Sequence, residues 1–476
     1  MVEPTTPLLP HARTRGWWAC ALVLASATAG SAQPLSSDDA QHRAIFRELV
    51  EIDTSPDGGG VTRAAQAVAE RLRAAGYPPA DVTLMGATPA CQNVVATLRA
   101  GTSGARPLLL LAHLDVVNAK RADWAADPFT LREAGGWFFG RGALDNKAGA
   151  SVLVANMVHW KRDRFVPARD LILVLTCDEE GDAAQGMQWL LAHVPRLREA
   201  EYALNTDAGG VGPAASGRVV FGTQAAEKVY ATFTLTATNP GGHSSVPRAD
   251  NAIYALAGAL QRLAAFHFPV AYNEVTRASF TQRAGLESGQ LADDLAAASQ
   301  GTPGGAAIER LLADPQLSPQ LRTTCVATML NGGHAENALP QSASATVNCR
   351  IMPGTDIAAV QQALTTVAAD PSITVALIYP PVPSPPSPLR PDVMRTVERL
   401  SQEFWPASLV VPGMSNGATD GMYLRNAGVP VFGLSAIYMK DEDDRSHGLD
   451  ERVPVRSLYQ ARDYWDRLVR VLAVSR

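Results

Sequence analysis

Residues 107–115, Pro-Leu-Leu-Leu-Leu-Ala-His-Leu-Asp, decide how the rest of the chain is read. An apolar run from Pro107 to Ala112 leads directly into His113 and Asp115. Continuous apolarity of this length is what a strand buried on both faces requires, and such strands belong to parallel sheets covered by helices. Leu171 to Thr176 repeats the texture and also runs into polar residues, Cys177-Asp178-Glu179-Glu180-Gly181. Between the two lies an apolar stretch of helical length, Ala148 to Trp160. Strand, helix and strand in that order predict an open α/β sheet with helices on both faces.

Working outward, His42 to Ile52 has helical period, Val61 to Ala75 is a second helix ended by Gly76, and Asn93 to Leu98 is a short strand. The texture changes near Gly222. Val229 to Thr238 alternates apolar and polar residues, the mark of a half-buried antiparallel strand. A helix from Asn251 to Ala265 follows, then a polar, Gly-rich stretch from about Glu287 to Gly305. Strands at Thr324 to Leu330 and Ser344 to Ile351, a helix at Ile357 to Ala368 and a strand at Ile373 to Ile378 complete the order βαββαβ. That order predicts an inserted ferredoxin-like α+β domain. Pro380 to Pro391, with seven prolines, reads as the return linker. The predicted organisation is a main α/β domain in two parts, 33–222 and 381–476, around an insertion at 223–380.

The 476 residues carry 41 basic and 46 acidic side chains, for a net charge of -5, and 46% are hydrophobic. This excludes a disordered chain and a disulfide mini-scaffold, and the acidic balance argues against a nucleic-acid binder. At the N-terminus Arg13 and Arg15 precede an apolar run from Trp17 to Ala27 and the small residues Gly30-Ser31-Ala32. The pattern predicts a secretory signal peptide over residues 1–32, since the run is shorter than the ~20 residues of a spanning helix. Only five of the basic residues are Lys, a bias of high-GC bacterial genomes, so the expected address is the periplasm. Cys91, Cys177, Cys325 and Cys349 contain no CxxC pair; an exported chain permits one disulfide here without implying it.

Five segments place metal-ligating residue types just beyond apolar strands: His113-Leu114-Asp115, Gly140 to Lys147 (GRGALDNK), Asp178-Glu179-Glu180, Asn205-Thr206-Asp207 and Ser446 to Glu451 (SHGLDE). In this order and spacing, from about Asp38 to the C-terminus, the chain resembles the co-catalytic zinc metallopeptidases. That family includes glutamate carboxypeptidase, aminoacylase, succinyl-diaminopimelate desuccinylase and acetylornithine deacetylase. HLDVV, the Trp124 to Phe129 segment and GRGALDNK resemble most the carboxypeptidase S-like, N-acyl-amino-acid hydrolase branch.

The resemblance implies an open mixed-sheet, phosphorylase/hydrolase-like catalytic domain whose insertion serves as a lid or dimerisation domain. It implies two Zn²⁺ per subunit: His113 and Asp207 on one, Glu180 and His447 on the other, and Asp145 bridging both through a residue whose bond to Asn146 is cis in the family. Co²⁺ or Mn²⁺ suits the same N/O donors. Asp115 would orient the His113 imidazole through its carboxylate. Glu179 would be the general base that activates water and returns the proton to the leaving amine. From the insertion, His243 (in Gly241-Gly242-His243-Ser244-Ser245) would stabilise the oxyanion, often across a homodimer. Arg350 would clamp a substrate carboxylate, and Asn337, Gly417 and Thr419 would touch substrate.

The chain departs from the family in having Ala112 before His113 and the run Gly-Asp-Ala-Ala-Gln-Gly after Glu180, where a glycine pair is common. Asp207 stands where the classical carboxypeptidases and deacylases carry Glu, whereas Asp is typical of the dipeptidase, aminopeptidase and carboxypeptidase S-like branches, so this residue does not settle the substrate. The expected reaction is cleavage of an amide bond beside a free carboxylate in small peptides, of carboxypeptidase or dipeptidase type, with N-acyl-amino-acid hydrolysis on the same site as the alternative. A different class is offered by Gly413-Met414-Ser415-Asn416-Gly417, a G-x-S-x-G match with His447 downstream, which would make a serine hydrolase. Against it, too few residues separate Ser415 from His447 to build the helix and strands of that fold. A binding module that has lost catalysis would not keep both Glu179 and Asp145, and no HExxH motif is present.

Overall fold

The computed structural model describes residues 35–101, 104–181, 184–301 and 303–474; the expected signal peptide, residues 1–32, lies outside them. Helices α1 (Ser37–Glu51) and α2 (Val61–Ala74) bury one apolar stripe each, Ile45, Phe46 and Leu49 in the first and Val68, Ala69 and Leu72 in the second. Beyond α2, Gly76 takes φ +97°, a left-handed conformation that favours glycine and stops the helix. A hairpin of β1 (Val82–Thr88) and β2 (Cys91–Leu98) leads to β3 (Leu108–His113), α3 (Lys147–Arg162) and β4 (Leu171–Thr176). Every residue of β3 and β4 is buried, as their unbroken apolar pattern requires. β5 (Tyr202–Asn205) and β6 (Val219–Glu227) complete this part of the chain.

The second sheet is built from β7 (Val229–Thr238), β8 (Thr324–Gly332), β9 (Ser342–Ile351) and β10 (Ile373–Leu377). All its pairings are antiparallel, in the order β8-β9-β7-β10. The inward residues of β7, Ala231, Phe233, Leu235 and Ala237, pack on α4 (Ala252–Ala265) and α5 (Ile357–Ala368) through Leu256, Leu263, Val360 and Leu364. This is the ferredoxin-like order read from the alternation. The chain then runs through Pro380–Pro391 into α6 (Pro391–Phe404), β11 (Leu409–Ser415), β12 (Val431–Gly433) and α7 (Val455–Val474). The proline segment is held against the first sheet: Ser387 N donates to Ala225 O at 2.8 Å, and Ser387 Oγ to Val431 O at 2.8 Å.

The first sheet has the strand order β1-β2-β4-β3-β5-β12-β6-β11, with Gly210–Pro213 paired beside β6. β4, β3, β5 and β12 are mutually parallel, whereas β2 runs antiparallel to β4 and β6 runs antiparallel to β12, so the sheet is mixed. No helix among the described residues is long and apolar enough to cross a membrane.

The polar, Gly-rich stretch from Glu287 to Gly305, left without an element by its pattern, is largely helical: Gly289–Ser299 and Gly305–Ala313 are helices that, with Glu274–Ala284, enclose a small core of Phe280, Leu295, Leu311, Leu317 and Leu321. The glycines there stand at helix ends, Gly289 at φ +64° and Gly301 at φ +74°, where they punctuate helices without dissolving them. The cysteines form two disulfides: Cys325–Cys349 joins directly paired positions of β8 and β9, and Cys91–Cys177 joins the first residue of β2 to the residue just after β4.

Candidate metal and catalytic site

β4, β3 and β5 lie side by side and parallel, with His113 level with Thr176 and Leu111 level with Asn205. Their C-terminal ends therefore open on one edge of the sheet, where open α/β sheets bind ligands. His113 is the last residue of β3, Glu179 and Glu180 leave the end of β4, and Asp207 follows β5. Asp145 arrives on the crossover just ahead of α3, and its bond to Asn146 is cis. His447 comes from the segment between β12 and α7.

These five side chains meet. His113 Nε2 lies 3.0 Å from Asp145 Oδ1 and 3.3 Å from Asp207 Oδ1. His447 Nε2 lies 3.2 Å from Asp145 Oδ2 and 2.9 Å from Glu180 Oε1. The two oxygens of Asp145 thus face two different imidazoles. The ligand atoms of His113, Asp145 and Glu180, and those of His113, Glu179 and Asp207, fall within 4.8 Å of one another. One histidine and one further carboxylate on each side of a shared aspartate is a donor set that fits two divalent cations.

The electrostatics point the same way. Burial alone would lower the His113 imidazole, but Asp207, and then Asp115 and Asp145, hold it well above its ordinary value. Hydrogen bonds to Asp145 and Glu180 push His447 up to about 10. Asp207 is pushed up to about 6, chiefly by burial. Glu179 stands well above the carboxylate range because it is buried and because Asp207 is close. A cluster of buried carboxylates of this kind is relieved by positive charge.

Asp115 acts on His113 differently from the sequence expectation. Its backbone carbonyl, 3.0 Å from His113 Nδ1, is the hydrogen-bond partner, whereas the nearer carboxylate oxygen lies 3.7 Å away. The carboxylate instead accepts from Glu180 N at 2.8 Å, tying the end of β3 to the segment after β4.

Sequence reasoning passed over Glu451, which organises the site from behind. The side chain is fully buried. Its Oε1 accepts from Leu144 N at 2.8 Å and Asp145 N at 3.0 Å, and its Oε2 from Gly142 N at 2.9 Å and Arg141 Nη1 at 2.7 Å. Arg141 in turn donates to Gly448 O at 3.0 Å. The pair joins the segment of Asp145 to that of His447. The only signal in the sequence was the position of Glu451 close behind His447; its partners lie some 300 residues earlier. A second buried pair, Glu227 with Arg425, was also missed. Glu227 accepts from Thr419 Oγ1 at 3.1 Å and Ser384 Oγ at 3.1 Å, joining the Gly417–Thr419 loop to the proline segment.

A cavity of about 1280 Å³ opens onto the cluster. Asp145, Glu179, Glu180, Asp207 and His447 line it, together with Gly417, Thr419 and Arg350. Arg350 stands on β9 directly opposite Tyr230 of β7, with its guanidinium 4.6 Å over the Tyr230 ring. Its Nη1 donates to Asn416 O at 3.2 Å, which fixes the head group. The structure does not bring His243 or Asn337 into this cavity. Both are exposed, His243 on the small ladder of Gly242–His243 with Ala338–Leu339 and Asn337 just before it, and His243 Nδ1 meets Ser245 Oγ at 2.7 Å. Ser415 also lines the cavity, but its Oγ accepts from Gly417 N at 3.0 Å while His447 Nε2 faces carboxylates. That pairing leaves no serine-histidine couple between them.

Residues 109–471 match the model of Peptidase family M20/M25/M40. Among curated proteins, the chain is 27% identical to the human N-fatty-acyl-amino acid synthase/hydrolase PM20D1 over 388 residues, covering 76% of this chain and 73% of that one. It is 28% identical to the succinyl-diaminopimelate desuccinylase of Dinoroseobacter shibae over 443 residues, covering 90% and 98%. Among solved structures, the M20 family metallo-carboxypeptidase Sso-CP2 of Sulfolobus solfataricus superimposes with a TM-score of 0.67 at 17% identity, covering 91% of this chain and 99% of that one. Human carnosine dipeptidase 1 does so with a TM-score of 0.62 at 13% identity, covering 91% and 97%. With the family model spanning most of the sequence and the site's carboxylates and imidazoles gathered at one sheet edge, the chain belongs to peptidase family M20/M25/M40 and is a metal-dependent hydrolase.

Proposed function

We propose that the protein cleaves an amide bond next to a free carboxylate in a small peptide, using two Zn²⁺ held by His113 and Asp207, by Glu180 and His447, and by Asp145 between them. The observation that carries this reading is the pairing of Asp145 Oδ1 with His113 and Asp145 Oδ2 with His447, in a cavity that also contains Arg350. When bound, the metal pair supplies Lewis acidity to the scissile carbonyl and to water. Glu179, half-buried on the cavity wall with a raised proton affinity, takes the proton from the attacking water and returns it to the leaving amine. Arg350, pre-set by Tyr230 and Asn416, presents its fork to the substrate carboxylate. Asp115 fixes the Glu180 backbone, so that base and ligand keep their spacing.

A second reading on the same site, hydrolysis of N-acyl amino acids, is favoured by the lining of the cavity. Met414, Met422, Tyr423 and the Pro380–Val382 segment give it an apolar wall suited to an acyl chain. The similarity to an N-fatty-acyl-amino acid synthase/hydrolase agrees with that chemistry. Comparing kcat/KM for dipeptides with that for N-acyl amino acids of rising chain length separates the two readings. Preference for the dipeptides supports the first, and a kcat/KM that climbs with acyl length supports the second.

The exposure of His243 suits a homodimer in which each copy's insertion supplies it to the other's cavity. The free edge strand β8, with Val326, Met329 and Leu330 exposed beside Ile253 and Tyr254 of α4, suits the dimer interface. A monomer by light scattering, with unimpaired His243→Ala, would remove this proposal. We further propose export to the periplasm; the two disulfides favour an oxidising compartment.

A further inference from the structure

The segment carrying Glu179 and Glu180 is also held by the β1–β2 hairpin, which contributes none of the candidate ligands itself. Cys177, the first residue after β4, is joined to Cys91, the first residue of β2, across a separation of 86 residues and a Cα–Cα distance of 5.4 Å. Both are almost fully buried, at 7% and 4% exposure for Cys91 and Cys177. Asn93, two residues along β2 and fully buried, accepts from Cys177 N at 3.0 Å and donates to Gln185 O at 3.0 Å. Thr88 at the tip of the hairpin donates to Gln185 Oε1 at 2.9 Å. The tip is folded tightly enough that a Cβ at Gly86 would lie 1.8 Å from the Cys91 carbonyl oxygen.

The hairpin therefore holds Cys177 and Gln185 on either side of Glu179 and Glu180, and the covalent bond stands at the end next to Glu179.

We propose that the Cys91–Cys177 disulfide is a positioning element for Glu179 and Glu180, so that its reduction slows hydrolysis while the chain stays folded. The inference rests on the reading of Glu179 as base and Glu180 as ligand. The exchange is with a dithiol: the dithiol closes to its own disulfide, and each cysteine sulfur gains one electron and one proton. The surrounding fold does not depend on the bond, because β2 remains paired with β4 over Val94–Leu98. The loosened turn would let the Glu179 carboxylate move relative to the imidazole ligands. An ångström of misplacement costs up to about 10²-fold in rate, so a loss of roughly tenfold in kcat is the expected scale.

The test compares zinc-loaded wild-type enzyme with enzyme that has been reduced by dithiothreitol, desalted anaerobically and reloaded with zinc, because the dithiol itself binds zinc; alkylation of an aliquot, mapped by mass spectrometry, gives the extent of reduction. Alongside it run Cys91→Ala/Cys177→Ala and, as a control, Cys325→Ala/Cys349→Ala. Amide hydrogen exchange of residues 177–186 and zinc affinity give readouts that do not depend on turnover. Lower kcat with nearly unchanged KM, faster exchange in that turn, recovery on re-oxidation and an unaffected control pair would support the proposal. Unchanged kcat and exchange after complete reduction would overturn it, as would a loss that appears only with global unfolding. If the double variant does not fold, the reduced wild type carries the comparison. Failure of the oxidised wild type to hydrolyse any amide would refute the functional reading instead, and the exchange measurement would still decide the role of the bond.

Discussion

Glu451→Gln changes one oxygen to an NH₂ group without altering the shape of the side chain, and it should cost the protein both stability and its hold on metal. Each carboxylate oxygen of Glu451 accepts two hydrogen bonds, one oxygen from Leu144 N and Asp145 N, the other from Gly142 N and Arg141 Nη1. Whichever way the amide is turned, its NH₂ faces two donors. Arg141, 3% exposed, loses its anion. Removing one partner of a buried ion pair costs about 3–5 kcal/mol, because the other charge is left in low dielectric. That is a large share of the 5–15 kcal/mol by which a domain is typically stable. The two N–H groups on Oε1 belong to Asp145 and its neighbour, so the loss falls where the shared carboxylate is aimed, and metal affinity should drop roughly 10- to 100-fold. Urea unfolding of the chelated protein and zinc titration of the folded protein measure the two effects separately. Wild-type midpoint and wild-type zinc affinity in Glu451→Gln would refute the idea that this carboxylate organises the site.

Other perturbations separate further roles. Glu179→Gln should keep zinc and substrate binding but lose roughly 10²–10⁴-fold in kcat, the usual worth of a general base, as read by steady-state kinetics and metal analysis. Arg350→Ala should raise KM far more than it lowers kcat, by roughly 10- to 100-fold for a charge-assisted hydrogen bond to a carboxylate, and the effect should vanish for substrates amidated at that carboxylate. His42, buried against Ser151 Oγ at 3.0 Å, is held down to about 3 by burial and then by Arg462. The unfolded chain binds this proton below about pH 6.5 and the folded chain does not until about pH 3, so His42's contribution is complete above pH 6.5 and lost as pH falls. The loss is about 1.4 kcal/mol per pH unit through that window. Urea midpoints measured against pH should show a correspondingly shallower slope in His42→Gln.

The parallel core of the sheet was legible because its evidence is local. β3 and β4 are runs with every residue buried, and at six residues each they are too short for a buried helix, so their length decides for strand. The convergence of His113, Glu180 and Asp207 follows, since each comes off the same end of neighbouring parallel strands. What escaped depends on contacts across long separations. The four donors around Glu451 and the Thr419 and Ser384 hydroxyls on Glu227 are distant in sequence, and Cys325 and Cys349 are joined only by register. The helices at Gly289–Ser299 and Gly305–Ala313 were hidden by glycines that turned out to be boundaries. His243 lies on the exposed Gly242–His243 ladder, outside the cavity of its own chain, and a motif alone does not say whose cavity such a residue serves.

The most direct measurement is a zinc titration of the chelated wild-type protein, following bound metal and amide hydrolysis together. Two metal equivalents per chain, with activity absent at zero and restored as the sites fill, is the result expected from a carboxylate shared between two imidazoles. Hydrolysis that persists after complete metal removal would contradict it and turn attention to Ser415.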